Sequence, residues 1–219
     1  NSGKLVIVDG IFSMEGDKAD LKKLAELSTT YEVELIIDEA HATGLFGSKG
    51  SGLCTVANIE ELCFARVYTF GKAIGSHGAV VVGSQQLKEY LINFSKNFIY
   101  STALDTHNLL SVKHSYFYLQ NNINQFIELE NLNKYFISRI NSLKVGFQVC
   151  GEGPIFGLIV GDNKKCKDLS TYLQLSGFDV RAILSPTVPK HTERLRIIMH
   201  SFNKLEEIDN FLQLIIDYQ

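Results

Sequence analysis

In Ile36-Ile37-Asp38-Glu39-Ala40-His41 a short apolar run ends in a carboxylate, and an imidazole follows three residues later. The run from Glu34 to Asp38 predicts a strand buried on both faces, as in a parallel sheet, with Asp38 at its C-terminal end. In open α/β sheets, ligands gather beyond the C-terminal ends of the strands. A buried carboxylate there needs a positive or donating partner, or it takes up a proton. The same residues also suit a helix cap at Asp38 and a packing histidine at His41, so the hexapeptide alone leaves both readings open.

Outward from this stretch the pattern repeats. Leu5-Val6-Ile7-Val8-Asp9 ahead of Gly10, Arg66 to Thr69, and Ala79-Val80-Val81-Val82-Gly83 are further strand-like runs. Leu21, Leu24, Ala25, Leu27 and Ser28 fall at helical spacing. Strands of this kind alternating with helices predict an α/β fold around a mostly parallel sheet. His41, Thr69 and Lys72 then lie at or just past strand ends with Asp38, and Ser13 follows the first strand within Asp9-Gly10-Ile11-Phe12-Ser13-Met14-Glu15-Gly16-Asp17.

Lys72 stands in Thr69-Phe70-Gly71-Lys72-Ala73-Ile74-Gly75. Taken singly it reads as a surface lysine in a turn. Flanking glycines permit close backbone approach, however, and a desolvated lysine presents a nucleophilic amine to a bound aldehyde. Thr69 offers a hydroxyl to a phosphate. A Walker-type phosphate loop is excluded, because Ala73 replaces the required Ser or Thr and the upstream glycine is missing. One cofactor met from several strand ends accounts for Ser13, Asp38, His41, Thr69 and Lys72 more economically than separate coincidences. Pyridoxal 5'-phosphate has a use for these groups: its aldehyde for the lysine, its phosphate for the threonine, and its protonated pyridine nitrogen for the aspartate.

From Asp105 to Leu143 there is no Gly or Pro, and Leu109, Val112, Tyr116, Leu119, Ile123, Ile127, Leu132, Phe136 and Ile140 predict helices, with breaks at Asn121-Asn122 and around Glu128 and Glu130. Further on, Gly146 to Cys150, Pro154 to Val160, Phe178 to Leu184 and Arg194 to Met199 read as strands. Lys164 to Leu175, closed by Gly177, and Leu205 to Tyr218 read as helices. The expected organisation is part of a large domain over residues 1–104, linking helices over 105–144, and a small α+β domain over 145–219.

With 45% hydrophobic and 21% charged residues, the 219-residue chain can bury a sizeable core. Its net charge of -3, with scattered cations, argues against a nucleic-acid partner. Cys54, Cys63, Cys150 and Cys166 fit neither a zinc site nor a dense disulfide framework, and are expected to be reduced and mostly buried. No apolar run nears the roughly 18 residues needed to span a bilayer, and no signal-peptide pattern is present, so a cytoplasmic protein is expected. Asn1-Ser2-Gly3-Lys4 leads directly into the apolar run at Leu5, as in a chain entered partway through a domain.

Taken together, the motifs resemble the α-oxoamine synthase family of fold-type-I pyridoxal-phosphate enzymes. The resemblance extends over Asp9 to Asp17, Asp38 to Gly44, Thr69 to Gly75, Ile99 to Thr102, Leu158 to Asn163, Pro186 to Pro189, and Arg194-Leu195-Arg196. It implies that Lys72 binds the cofactor aldehyde covalently and later acts as general base, and that Asp38 meets the pyridine nitrogen. Ser13 and His41 would surround the ring hydroxyl, with His41 also polarising the acceptor. Thr69 would hold the phosphate, Thr102 would reach it from the neighbouring subunit of a homodimer with shared active sites, and Thr187 and Arg196 would handle substrate carboxylates.

The implied reaction condenses an amino acid with an acyl thioester and releases carbon dioxide. Ala40, where glycine-using branches commonly carry Ser, favours the biotin-synthesis branch, with L-alanine and pimeloyl-CoA or a pimeloyl carrier protein as substrates. Leu184-Ser185, where that branch typically shows Arg-Pro, leaves open a related synthase with a different acyl or amino-acid substrate, such as a glycine C-acetyltransferase. The family's N-terminal segment, with its glycine-containing phosphate loop and ring-stacking histidine, has no counterpart in these 219 residues. They are therefore expected to be inactive alone, with the other half either supplied by a separate N-terminal chain or lost. A non-catalytic dimerisation partner is the competing expectation.

Overall fold

The computed structural model describes residues 3–143 and 145–218. The chain divides into two compact units. One runs up to Ile11 and from Ala19 to Ile123, and the other comprises Phe12–Lys18 and the chain from Asn124 onward.

The first unit is built on a four-stranded sheet in the order β1 (Leu5–Asp9), β2 (Glu34–Asp38), β3 (Ala65–Thr69), β4 (Ala79–Gly83). The first three strands are parallel and β4 is antiparallel to β3, which makes the sheet mostly parallel as the alternating pattern implies. Between β1 and β2 lies α1 (Leu21–Tyr31). Asp20 starts it by accepting the Lys23 N–H at 3.2 Å, and Leu21, Ala25 and Ser28 form its buried stripe. Leu35 and Ile37, two apart on β2, are buried on one face of the sheet. A short helix, α2 (Leu53–Ala57), precedes β3, and α3 (Gln85–Phe94), α4 (Lys96–Ile99) and α5 (Thr106–Asn121) follow β4.

The expectation of strands buried on both faces holds poorly at the edges. Ile7 on β1 is 70% exposed and Val81 on β4 is 48% exposed. Alternation aims successive side chains at opposite faces, and each of these strands has one hydrogen-bonded neighbour among the described residues.

The second unit is a fully antiparallel sheet in the order β5 (Gln148–Cys150), β6 (Ile155–Ile159), β8 (Arg194–Ile198), β7 (Arg181–Ile183). Its helices are α6 (Asn124–Leu143), α7 (Asn163–Leu175) and α8 (Leu205–Tyr218). Leu129, Leu132, Phe136 and Ile140 give α6 a buried stripe, and Phe136 meets Phe156 of β6 with ring centroids 4.7 Å apart. Leu158, Leu169, Leu173, Leu195, Leu212 and Ile215 are fully buried in the same core. The break at Asn121-Asn122 is present, but the one anticipated around Glu128 and Glu130 is absent and α6 runs through both. Glu130 pairs with Lys134 one turn on, which supports the helix at that point.

Among the described residues, no helix is long and apolar enough to cross a membrane. Cys54 and Cys166 are buried, while Cys63 and Cys150 are partly exposed, so the thiols are less uniformly buried than expected.

Candidate active site

On the first unit the functional side chains collect where β1, β2 and β3 end. Asp38 is the last residue of β2 and is half-buried. Its Oδ1 accepts the Ala40 N–H at 2.7 Å, which fixes the carboxylate, and its carbonyl accepts the Gly10 N–H at 2.8 Å. Asp38 does not cap a regular helix, because residues 40–45 form turns. Beside it in register stands Asp9. Burial holds the Asp9 carboxyl above its ordinary range, the Asp38 charge adds to this, and the Lys72 charge opposes it. The Lys72 charge thus acts on Asp9.

Lys72 lies exposed in the loop after β3, not desolvated as anticipated. The loop itself is well tied. Phe70 N–H donates to Gly78 O at 2.9 Å, Ser76 N–H donates to Phe70 O at 2.8 Å, and Ser115 Oγ on α5 donates to Ile74 O at 2.8 Å. The left-handed backbone of Gly75 (φ +67°) lets its N–H turn back to Lys72 O at 2.9 Å. At the end of β3, the Thr69 hydroxyl is buried with no hydrogen-bond partner. His41 is half-buried in the turn after Asp38, and Thr102 is exposed after α4.

Glu39 is a residue that sequence reasoning passed over. Its carboxylate is fully buried and accepts the Leu53 N–H at 2.8 Å and the Cys54 N–H at 2.6 Å, closing the loop that follows Asp38 onto α2. A glutamate next to a strand-end aspartate carries no sequence signal for this role, because its partners are backbone groups fourteen and fifteen residues away. Asp9 did carry a signal, since it ends a strand in the same way as Asp38.

On the second unit Ser13 and Arg196 come together. Ser13 sits half-buried in the turn after Phe12, and its carbonyl accepts from Arg196 Nε at 2.9 Å. Burial holds the Arg196 guanidinium below its ordinary range. Two residues along from this pair, Arg194 is buried and paired with Glu15 at 3.1 Å, which pins the Ser13 turn to β8. Thr187 is exposed in the turn after β7. A groove of about 490 Å³ on α1, lined by Lys22, Glu26, Ile59 and Leu62, holds none of the anticipated residues.

The arrangement on the first unit can hold pyridoxal phosphate. An orphaned buried hydroxyl suits a phosphate oxygen, a carboxylate fixed through one oxygen suits a pyridinium, and a lysine on a braced loop suits an aldehyde.

Comparison with known proteins agrees with this. The chain is 34% identical over 227 residues to an 8-amino-7-oxononanoate synthase of Emericella nidulans and 35% identical over 207 residues to one of Lysinibacillus sphaericus. These alignments cover 96% and 94% of the chain but 53% of each relative, so the chain spans about half the length of the curated relatives it matches. The solved 8-amino-7-oxononanoate synthase of Francisella tularensis superposes with a TM-score of 0.87 at 27% identity, covering 100% of this chain and 64% of that one. Residues 1–215 match the family described as aminotransferase class I and II, and with that match over nearly its whole length the chain belongs to this family, as a partial large domain followed by a small α+β domain.

Proposed function

We propose that the chain is the C-terminal part of a pyridoxal-phosphate-dependent C-acyltransferase, which condenses L-alanine with a pimeloyl thioester of CoA or a carrier protein to give 8-amino-7-oxononanoate for biotin synthesis. The activity for which the relatives are named supports the reaction, and the buried, unpartnered Thr69 hydroxyl is the observation that carries the site. A hydroxyl left without a partner in a folded interior costs stability unless a ligand completes it.

Each residue has a definite task in this reading. Thr69 donates to the cofactor phosphate, and Asp38, held through Oδ1 by Ala40, offers Oδ2 to the pyridinium. Lys72 would hold the cofactor through its aldehyde and would serve as the base for the Cα proton of the amino acid. When bound, pyridoxal phosphate supplies an electron sink for the charge left at Cα. His41 polarises the thioester carbonyl that this carbon attacks. The thiol leaves, the alanine carboxylate departs as carbon dioxide, and an amino ketone remains. Ser13 orients the ring hydroxyl together with His41. Arg196, anchored through Nε, presents its terminal N–H groups to a substrate carboxylate, and Thr187 serves the same end of the substrate.

The wider assembly belongs to the same reading: a cytoplasmic homodimer in which Thr102 reaches the phosphate of the neighbouring active site, with the family's N-terminal half supplied by further polypeptide. Residues 1–104, 105–144 and 145–219 are then large-domain part, linking helices and small domain.

The test is to add pyridoxal phosphate to the protein, reduce with borohydride and map the adduct by peptide mass. The label is expected on Lys72 and lost in Lys72→Ala. A label spread evenly over surface lysines would refute the site. Turnover with L-alanine and pimeloyl-CoA, against glycine and serine, tests the substrates once the complete assembly is in hand.

A further inference from the structure

On the second unit, the loop between β7 and β8 and the start of α7 are fastened to each other. The Ser185 N–H donates to Asn163 Oδ1 at 3.0 Å, and the Val160 and Gly161 N–H groups donate to Glu193 O at 2.8 and 3.0 Å. At the tip of the loop, Pro189 O accepts both the Thr192 N–H at 3.1 Å and the Thr192 hydroxyl at 2.8 Å, and His191 adopts the left-handed backbone (φ +69°). A Cβ added at Gly161 would lie 3.5 Å from His191 O, so the tip rests beside the segment that leads into α7.

These bonds gather cations that the sequence keeps apart. Lys190 and His191 at the tip, and Lys164, Lys165 and Lys167 in the first turns of α7, are all exposed. Among the described residues none of these four lysines enters an ion pair, whereas Lys18, Lys134, Arg139 and Arg181 of the same unit each have a carboxylate partner. Of the carboxylates in these segments, Glu193 is buried, Asp162 caps α7 by accepting the Lys165 N–H at 2.9 Å, and Asp168 stands exposed among the lysines. A chain of net charge -3 thus presents a locally basic surface here. The loop that carries Lys190 also carries Thr187 and leads into Arg194-Leu195-Arg196, so the surface adjoins residues assigned to the substrate.

We propose that this surface docks an acidic protein, the carrier that brings the acyl thioester. The proposal rests on the acyltransferase reading and chooses the carrier-bound thioester over the CoA-bound one. Exposed cations spread over a helix face and a turn tip suit a broad acidic surface, which they attract over distance and orient on arrival. CoA, with its adenine, calls for a concave and largely apolar pocket besides its phosphate contacts. The grooves of about 490 and 470 Å³ lie elsewhere, on α1 and between α6 and residues 201–205.

The test titrates the purified protein with fluorescein-labelled holo acyl carrier protein and follows anisotropy. Binding is expected, and it should weaken about tenfold as sodium chloride rises from about 50 to about 300 mM, because exposed charges are screened. The triple variant Lys164→Glu, Lys167→Glu, Lys190→Glu should bind at least about tenfold more weakly. A control of the same net charge, Lys22→Glu, Lys23→Glu, Lys88→Glu on the first unit, should bind as the unaltered protein does. Borohydride labelling of Lys72 by pyridoxal phosphate should be the same in all three proteins, so a failed docking surface and a failed cofactor site read differently. No binding by the unaltered protein, or equal affinity in the triple variant, or equal weakening by the control overturns the proposal. Loss of CoA affinity in the triple variant with carrier affinity intact would assign the surface to the CoA phosphates and overturns it too.

Discussion

Asp9 and Asp38 are register partners at the C-terminal ends of neighbouring parallel strands, two carboxylates side by side, and the Lys72 charge acts on Asp9 in the opposite sense. Their proximity follows from the parallel pairing of β1 and β2, which brings two strand-end residues twenty-nine positions apart to the same level of the sheet.

The first prediction concerns that pair. Burial and the Asp38 charge hold Asp9 above its unfolded value, so the ionised side chain disfavours the folded state. Its contribution to stability is therefore fully present below the unfolded carboxylate range and is lost as pH rises through the folded value. Asp9→Asn is expected to stabilise the protein at pH 7 by a few tenths of a kcal/mol, screened because Asp9 is only half-buried, with the gain vanishing in acid. Urea midpoints at the two pH values measure it, and a gain that persists unchanged in acid would contradict the electrostatic cause.

Thr69→Val separates a ligand role from a packing role. The buried hydroxyl has no partner, so its removal should leave the cofactor-free protein equally stable or more stable by about 1 kcal/mol. Pyridoxal phosphate should bind roughly tenfold more weakly, as expected for one lost hydrogen bond to a charged group. Thermal shifts with and without the cofactor report both effects. Unchanged affinity would assign the phosphate to other groups.

Glu39→Ala removes the acceptor of two buried N–H groups, those of Leu53 and Cys54. A loss on the order of 3 kcal/mol is expected, seen as a lower denaturant midpoint at unchanged slope. Glu39→Gln keeps one acceptor oxygen but turns an amide donor toward the second N–H, so it should fall between. A cost below about 0.5 kcal/mol for the alanine variant would mean that water replaces the carboxylate.

Gly16→Ala tests the turn that carries Ser13. Gly16 has φ +78°, and a Cβ there would come within 2.1 Å of Ile155 O. Backbone, not a flexible side chain, is the obstacle, so a cost above about 2 kcal/mol is expected. Gly75→Ala is the control: its φ is also positive, at +67°, but a Cβ meets nothing within 4 Å, and its cost should stay near 1 kcal/mol. Equal costs at the two positions would show that conformational strain alone, without the clash, decides.

Most of the architecture was legible in residue order. Apolar, largely β-branched runs ending in Asp, Thr or Gly, together with an amphipathic helix, carry the signals that specify strands and helices locally. The strand-end chemistry of Asp38, Thr69 and Lys72 was legible for the same reason, because position along a parallel strand tells which end faces a ligand. The continuity of α6 through Glu128 and Glu130 was harder to see, since the Glu130–Lys134 pair turns an apparent acidic interruption into support for the helix.

The sequence by itself determined the strands and helices of the α/β part and of the small α+β unit, and the places of Asp38, Thr69 and Lys72 at or just past strand ends, because these signals lie in neighbours a few residues away. Only the tertiary structure decided that Asp9 stands beside Asp38, that Glu39 is spent on the N–H groups of α2, and that the Thr69 hydroxyl is left without a partner. These outcomes turn on strand register and on which buried polar groups find partners. Both are settled by contacts between distant parts of the chain, because a buried donor or acceptor is satisfied by whatever the fold brings next to it.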